Sequence, residues 1–298
     1  MNGVLTFICL IVCVVIVLAV PGFVAPWGAE LGIASVFDSG RAVLLCAAMA
    51  AIAGLIISRH AEGSEFLVRL FVAGLLVRML LGTAIFVFRG QDFFGGDAFT
   101  YDFLGFAQTH SWAGDRYYWG VVHAHIGHSG GTGWGMIYLV AAVYSIVGRN
   151  LLAVQFVNAV VGAATAPIIY LCAMEVFNNV RVARISALAV AFFPSLVLWS
   201  SQGLKDGPIV FFLALSIMAT LKLSRKFDVK YMAVLIISLF AVLSLRFYVF
   251  YMIAAAVAAC VAAIATVILI AVGIIGFAGW KVYDSSLTVS DRVDDISG

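Results

Sequence analysis

The segment Gly95-Gly96-Asp97-Ala98-Phe99-Thr100-Tyr101-Asp102 sets two carboxylates and a phenol directly after a glycine pair. Glycines let a bound molecule come close to the backbone, so Asp97 can serve as a general base or as a ligand for a cation. If the chain turns helical after Gly96, Tyr101 stands one turn beyond Asp97 on the same face, and Asp102 is rotated away by roughly a further 100 degrees. The same spacing suits a plain helix cap in which Asp97 accepts from backbone amides, and spacing alone leaves the two readings level.

A second group sits in Leu204-Lys205-Asp206-Gly207-Pro208, after the apolar run ending Leu198-Trp-Ser-Ser-Gln-Gly-Leu. The pattern reads as a helix end, a tight turn and a new helix start. Lys205 can hold a phosphate as a point charge, while Asp206 orients it or takes an acceptor hydroxyl. The bland alternative is a lysine that snorkels to an interface beside a capping acid; charges this close to apolar runs favour the functional reading. Arg246 interrupts an otherwise uncharged apolar stretch of about fifty residues. Unpaired, its guanidinium would cost several kcal/mol there, and its fork matches a phosphate. Tyr248, two residues on, joins it as a candidate for substrate contact. Arg78, in the middle of another apolar run, calls instead for a structural partner, an ion pair or helix carbonyls.

His123, His125 and His128 offer imidazoles without a defined metal geometry, and they read as ordinary loop histidines; a divalent metal stays an open possibility. The glycine-rich run His128-Ser-Gly-Gly-Thr-Gly-Trp-Gly lacks the Gly-Lys-Ser/Thr ending of a phosphate-binding loop and reads as a hinge.

The elements that position these groups follow from solvent. Apolar residues make up 64% of the chain and charged ones 11%, whereas soluble domains run near half and a quarter, so lipid must be the main surroundings. A net charge of +2 excludes a nucleic-acid surface. Cys9, Cys13, Cys46, Cys172 and Cys260 all fall inside apolar runs and read as small core residues. Helical spans are expected at 3–24, 42–58, 66–88, 151–174, 183–200, 207–222 and 231–249, with 250–280 crossing once or twice. The first run has no basic residue before it and reads as a retained helix rather than a cleaved signal. The short run 135–148 is expected to lie along the outer interface. With that assignment eight basic residues, Arg59, Arg69, Arg181, Arg184, Lys222, Arg225, Lys226 and Lys230, share the inner side. The loop 25–41, with Glu30 and Asp38 against Arg41, and the loop 89–134 then lie outside. The polar tail 281–298, with Asp284, Asp291, Asp294 and Asp295, ends without an anchoring element, as a partial chain would. The expected organisation is one transmembrane domain over 1–298: a leading helix pair in 1–65, a core in 66–250, and last spans plus tail in 251–298.

The order of these elements over about residues 66–250 resembles the GT-C membrane glycosyltransferases, in particular the branch of aminoarabinose transferases and protein O-mannosyltransferases. In that family a helix leads to an outer loop with an acid and a tyrosine four residues later, as in Gly-Asp97-Ala-Phe-Thr-Tyr101. An interfacial helix ending in glycine follows, like 135–148, then a span like Asn150-Leu-Leu-Ala-Val-Gln-Phe-Val-Asn. A short basic loop, a turn with an acid before proline, like Asp206-Gly-Pro208, and a basic residue near the end of a later helix, like Arg246, complete it. Ala98 departs from the many relatives that carry a second acid beside the first.

The resemblance implies an all-α, polytopic transmembrane bundle of GT-C type with an outer interfacial helix. It implies an enzyme of the plasma membrane, the inner one in a bacterium, that moves a sugar from a polyprenyl-phosphate donor to a glycan, lipid or protein acceptor on the periplasmic side, with inversion, in cell-envelope or exopolysaccharide synthesis. Asp97 and Asp206 would be the catalytic pair; Tyr101, Asp102, Lys205, Arg246 and Tyr248 would bind substrate. Two other classes fit the same residues: a transporter or flippase for a lipid-linked saccharide, and a noncatalytic membrane subunit of a polysaccharide assembly.

Overall fold

A computed structural model of the chain describes residues 15–17, 26–33, 35–59, 63–93, 96–128, 133–259, 261–262, 266–267 and 269–274. Apart from 15–17, the expected span 3–24 lies outside them, as does the tail 281–298. Every regular element among the described residues is helical. Met1–Phe250 forms one compact unit and Tyr251–Gly298 another, the latter with helical residues at 251–259, 261–262, 266–267 and 269–274.

Within the first unit the chain runs through ten principal helices. They are α1 (Val36–Ser58), α2 (Ser64–Val87), α3 (Asp97–Trp112), α4 (Arg116–His128), α5 (Trp134–Val147), α6 (Leu151–Phe177), α7 (Val180–Phe192), α8 (Pro194–Ser200), α9 (Asp206–Arg225) and α10 (Val229–Leu245). The segment Gly28–Ser58, α2, α6 and α9 are each long and apolar enough to cross a bilayer, and the bent pair α7–α8 passes the same test only when its two helices are taken together. The chain is a polytopic helical membrane bundle. α6 is its centre: most of its residues are buried, and it packs against α1, α2, α7 and α9. α5, at 14 residues, extends about 21 Å, short of a hydrocarbon core of about 30 Å. It packs on α3 and α10.

Four expectations need correction. The loop 89–134 is largely helical, holding α3, α4 and a short helix Gly90–Phe93. Gly96, at φ 72°, supplies the left-handed turn that starts α3. Asp115 starts α4, its Oδ1 accepting from Tyr117 N at 2.9 Å. The loop 25–41 is likewise shorter than expected, because Ser35 and Asp38 form a capping box that begins α1 at Val36; Asp38 also lies 3.7 Å from Arg41. The span 183–200 is broken, with a bend of 52° between α7 and α8. Pro194 has no N–H for the carbonyl of Val190, and it holds Phe193 in extended backbone. The run 231–249 stops at Leu245, where Arg246 adopts φ −152°, ψ 102°. Arg246 N still closes the last turn on Val242 O, and its own carbonyl accepts from Phe250 N, so the arginine stands at a joint.

The break at Pro194 explains Arg78. Buried at 1% exposure, it donates from Nη1 to Ala191 O at 2.9 Å and Gly74 O at 3.0 Å, and from Nε to Ser200 Oγ at 2.8 Å. A guanidinium inside an apolar bundle thus serves a carbonyl that the broken helix leaves open, the helix-carbonyl partnership expected of it.

Candidate functional site

Residues far apart in sequence meet at one end of the bundle. Asn150 caps α6 there, its Oδ1 accepting from Ala153 N at 3.0 Å while Nδ2 donates to Asp38 O at 2.7 Å, so the start of α6 is tied to the start of α1. The 201–205 turn arrives at the same end, between α8 and α9. Asn158, fully buried one helical face below, donates from Nδ2 to Gln202 O at 2.7 Å and to Leu204 O at 2.6 Å. Arg78 holds Ser200 immediately before the turn.

This turn delivers Lys205 to α3. Its Nζ lies 5.6 Å from the centre of the buried Tyr101 ring, within cation–π range. Gly133, at φ 74°, stands against both: a Cβ there would lie 3.4 Å from the Tyr101 hydroxyl and 3.7 Å from Lys205 Nζ. The left-handed φ favours glycine at this cap, so the start of α5 sits beside the phenol and the ammonium. Asp97 is the first residue of α3, one turn before Tyr101, and is exposed. Gly96 holds the cap position, and Asp97 follows it as the acid of the first turn of α3.

Asp206 opens α9 and pairs with Arg246, Nη2 to Oδ1 at 3.2 Å; the two side chains are 34% and 32% exposed, so the pair is open to solvent. The Arg246 guanidinium also lies 5.9 Å from the Tyr248 ring. Below Asp206 a cavity of about 180 Å³ separates α2, α6, α8 and α9, with Arg78, Thr165, Trp199, Ser200 and Asp206 among its walls.

Asp102 is placed differently from the other expected contacts. It faces the interior at 1% exposure. Arg149 donates to it from Nε at 3.2 and 3.3 Å and from Nη2 at 2.5 Å, and Tyr144 donates its hydroxyl at 2.5 Å. The hydrogen bond to Asp102 raises the Arg149 pKa, and burial, with the carboxylate beside it, holds the Tyr144 hydroxyl protonated. These bonds fasten α3 to α5 and to the α5–α6 joint. Arg149, Tyr144 and Asn158 were absent from the expected set. For Asn158 the available signal was a side-chain amide inside an apolar run, which needs a partner in the bundle.

The histidines remain on their own helix. His123 Nδ1 meets Trp119 O at 2.9 Å and its ring stacks on Trp119, and His128 Nδ1 meets Ala124 O at 2.6 Å. Among the described residues no three His, Cys, Asp or Glu side chains gather as a metal set. Cys46 and Cys172 are buried thiols.

Residues 134–280 match the family described as dolichyl-phosphate-mannose-protein mannosyltransferase. The matched stretch, just under half of the chain, runs from α5 past α10 and carries Lys205, Asp206, Arg246 and Tyr248. It starts after α3, so Asp97 and Tyr101 lie before it, and it reaches beyond the 66–250 over which the family order of elements was read. No curated protein and no solved structure matches the chain.

Proposed function

We propose that the chain is a membrane glycosyltransferase of the GT-C type, as the family match over residues 134–280 supports, and that it moves a sugar from a polyprenyl-phosphate donor to an acceptor hydroxyl at the outer face of the membrane, with inversion. The observation that carries this reading is the gathering of Asp97, Tyr101, Lys205, Asp206 and Arg246 at one end of the bundle.

In this reading the acceptor oxygen forms its bond to the anomeric carbon as the carbon–oxygen bond to the lipid phosphate breaks. The electron pair leaves on the phosphate, and the acceptor proton passes to Asp97. Lys205 and Arg246 receive the growing phosphate charge, the first as a compact ammonium, the second through its fork. Tyr101 fixes the position of Lys205 and of the incoming sugar. Asp206 holds Arg246 in place at rest and takes a substrate hydroxyl once the phosphate draws the arginine away. Tyr248 flanks the same cation. The inner side is the opposite end of the bundle, where the basic residues concentrate.

Transfer from a panel of radiolabelled polyprenyl-phosphate sugars by the purified protein in lipid tests the proposal. Wild type should transfer or hydrolyse at least one donor, and both Asp97→Asn and Arg246→Ala should lose it. Full activity of Asp97→Asn at normal expression would remove the base assignment. Donor binding without turnover, together with movement of the saccharide across the membrane, would make the chain a transporter.

A further inference from the structure

Lys205 and Asp206 are carried by a turn, and a turn between two helix ends has few bonds of its own to fix it. Here the fixing comes from α6. Asn158 lies on the α6 face that meets the turn, together with Leu151 and Val154, which stand against Gly203. It is fully buried, and its single amide nitrogen spends both hydrogens on the turn, at 2.7 Å to Gln202 O and 2.6 Å to Leu204 O. Both carbonyls belong to the last residues before Lys205, and α9 starts directly after it.

The bonding pattern is specific to an amide. Hydroxyl side chains carry one donor hydrogen and a carboxylate none, whereas an Asn nitrogen serves two carbonyls at once. A purely apolar residue of similar size would fill the same volume and leave both carbonyls without a donor in the interior. The two bonds set the path of the backbone at Leu204 and hence the direction in which Lys205 leaves it, toward the Tyr101 ring.

We infer that Asn158 is a positioning residue, which acts on sugar transfer through Lys205 by holding the Gln202–Leu204 turn; the inference rests on the glycosyltransferase reading above. A displacement of about 1 Å at a charged group in a reacting site is enough to cost up to roughly a hundredfold in rate. Asn158→Leu should therefore lower kcat between roughly tenfold and a hundredfold, with a much smaller change in donor KM.

A double-mutant cycle separates positioning from general support of the bundle. Wild type, Asn158→Leu, Lys205→Met and the double variant are assayed for transfer from the best donor, with thermal unfolding recorded for each. If Asn158 acts through Lys205, the double variant transfers no more slowly than Lys205→Met alone. Losses that multiply would show that Asn158 supports the structure independently and would overturn the inference while leaving the glycosyltransferase reading intact. If Asn158→Leu does not yield folded protein, Asn158→Ser, which keeps one donor, takes its place in the same cycle with the same two outcomes. Absence of transfer by wild type from every donor would overturn the reading itself, and the inference with it.

Discussion

Two charged groups at opposite ends of the bundle are held in different ways. At the end away from the candidate site Glu175, on the last turns of α6, is gripped by Lys222 and by Arg225, whose Nε lies 2.5 Å from its Oε1, and Arg225 also donates to the Glu175 carbonyl. One acid there meets two cations, and the three groups tie the foot of α6 to the foot of α9. At the other end, beside the buried Asp102–Arg149 anchor, the charges of the candidate site are shared loosely. Lys205 rests against an aromatic face, and the Asp206–Arg246 pair is a single contact one-third open to solvent. An acid held by two cations suits a joint that has to persist, and a cation held by a single contact is one that a phosphate can recruit. On the proposed function the contrast separates groups that act from groups that hold, and it can be broken from either side.

The largest effect is expected at Asp97. Removing a general base costs about two to four orders of magnitude in rate, so Asp97→Asn should lower kcat by that amount with expression unchanged, read as sugar transfer in lipid. Arg246→Ala comes next, with a loss of about two to three orders of magnitude if its fork meets the departing phosphate. Arg246→Lys should recover only part of it, since an ammonium lacks the paired donors. Equal activity of Arg246→Ala and wild type would leave the site end with no demonstrated cation and dissolve the contrast.

The spans were legible because apolar runs of the right length leave few alternatives, and α2, α6 and α9 begin and end close to where those runs do. The helices α3 and α4 were not, since their aromatic and polar residues follow no strong apolar pattern. Their starting signals, Gly96 before Asp97 and Gly114-Asp115 before Arg116, were nevertheless in view. Pro194 announced its break by the ordinary rule for proline inside a helix, yet what the break required, Arg78 reaching over from α2 to Ala191 O, is a tertiary fact. At the site, the meeting of Lys205, Asp206 and Arg246 on one face followed from topology. Asp102 shows the limit. Helical geometry turned it away from Asp97, but its true partner, Arg149, lies 47 residues on, and no local pattern links the two.

The placement of Asp102 carries the next effect. If Asp102 is an anchor, Asp102→Asn should destabilise the fold by about 1–3 kcal/mol, the cost of leaving buried partners poorly paired, while donor KM stays within about twofold of wild type. Thermal unfolding in detergent and transfer kinetics on the same preparation give both numbers. A large rise in KM with unchanged stability would keep Asp102 in the substrate-binding set.

The smallest effect is expected at Glu175, and it tests cohesion without chemistry. Glu175→Gln removes the acid that Lys222 and Arg225 share. Glu175 itself is 10% exposed, but its partners are 37% and 66% exposed, so water can take over much of their solvation. Partly exposed pairs of this kind contribute about 1 kcal/mol or less each. The variant should unfold at a slightly lower temperature, by an amount that shrinks at high salt because the lost attraction is screened. Sugar transfer should stay within about twofold of wild type, because α6 spans the bundle and the site hangs from its other end through Asn150 and Asn158. If Glu175→Gln instead costs as much activity as Arg246→Ala, the two ends are coupled through α6 and α9, and the division between a joint and a site no longer holds.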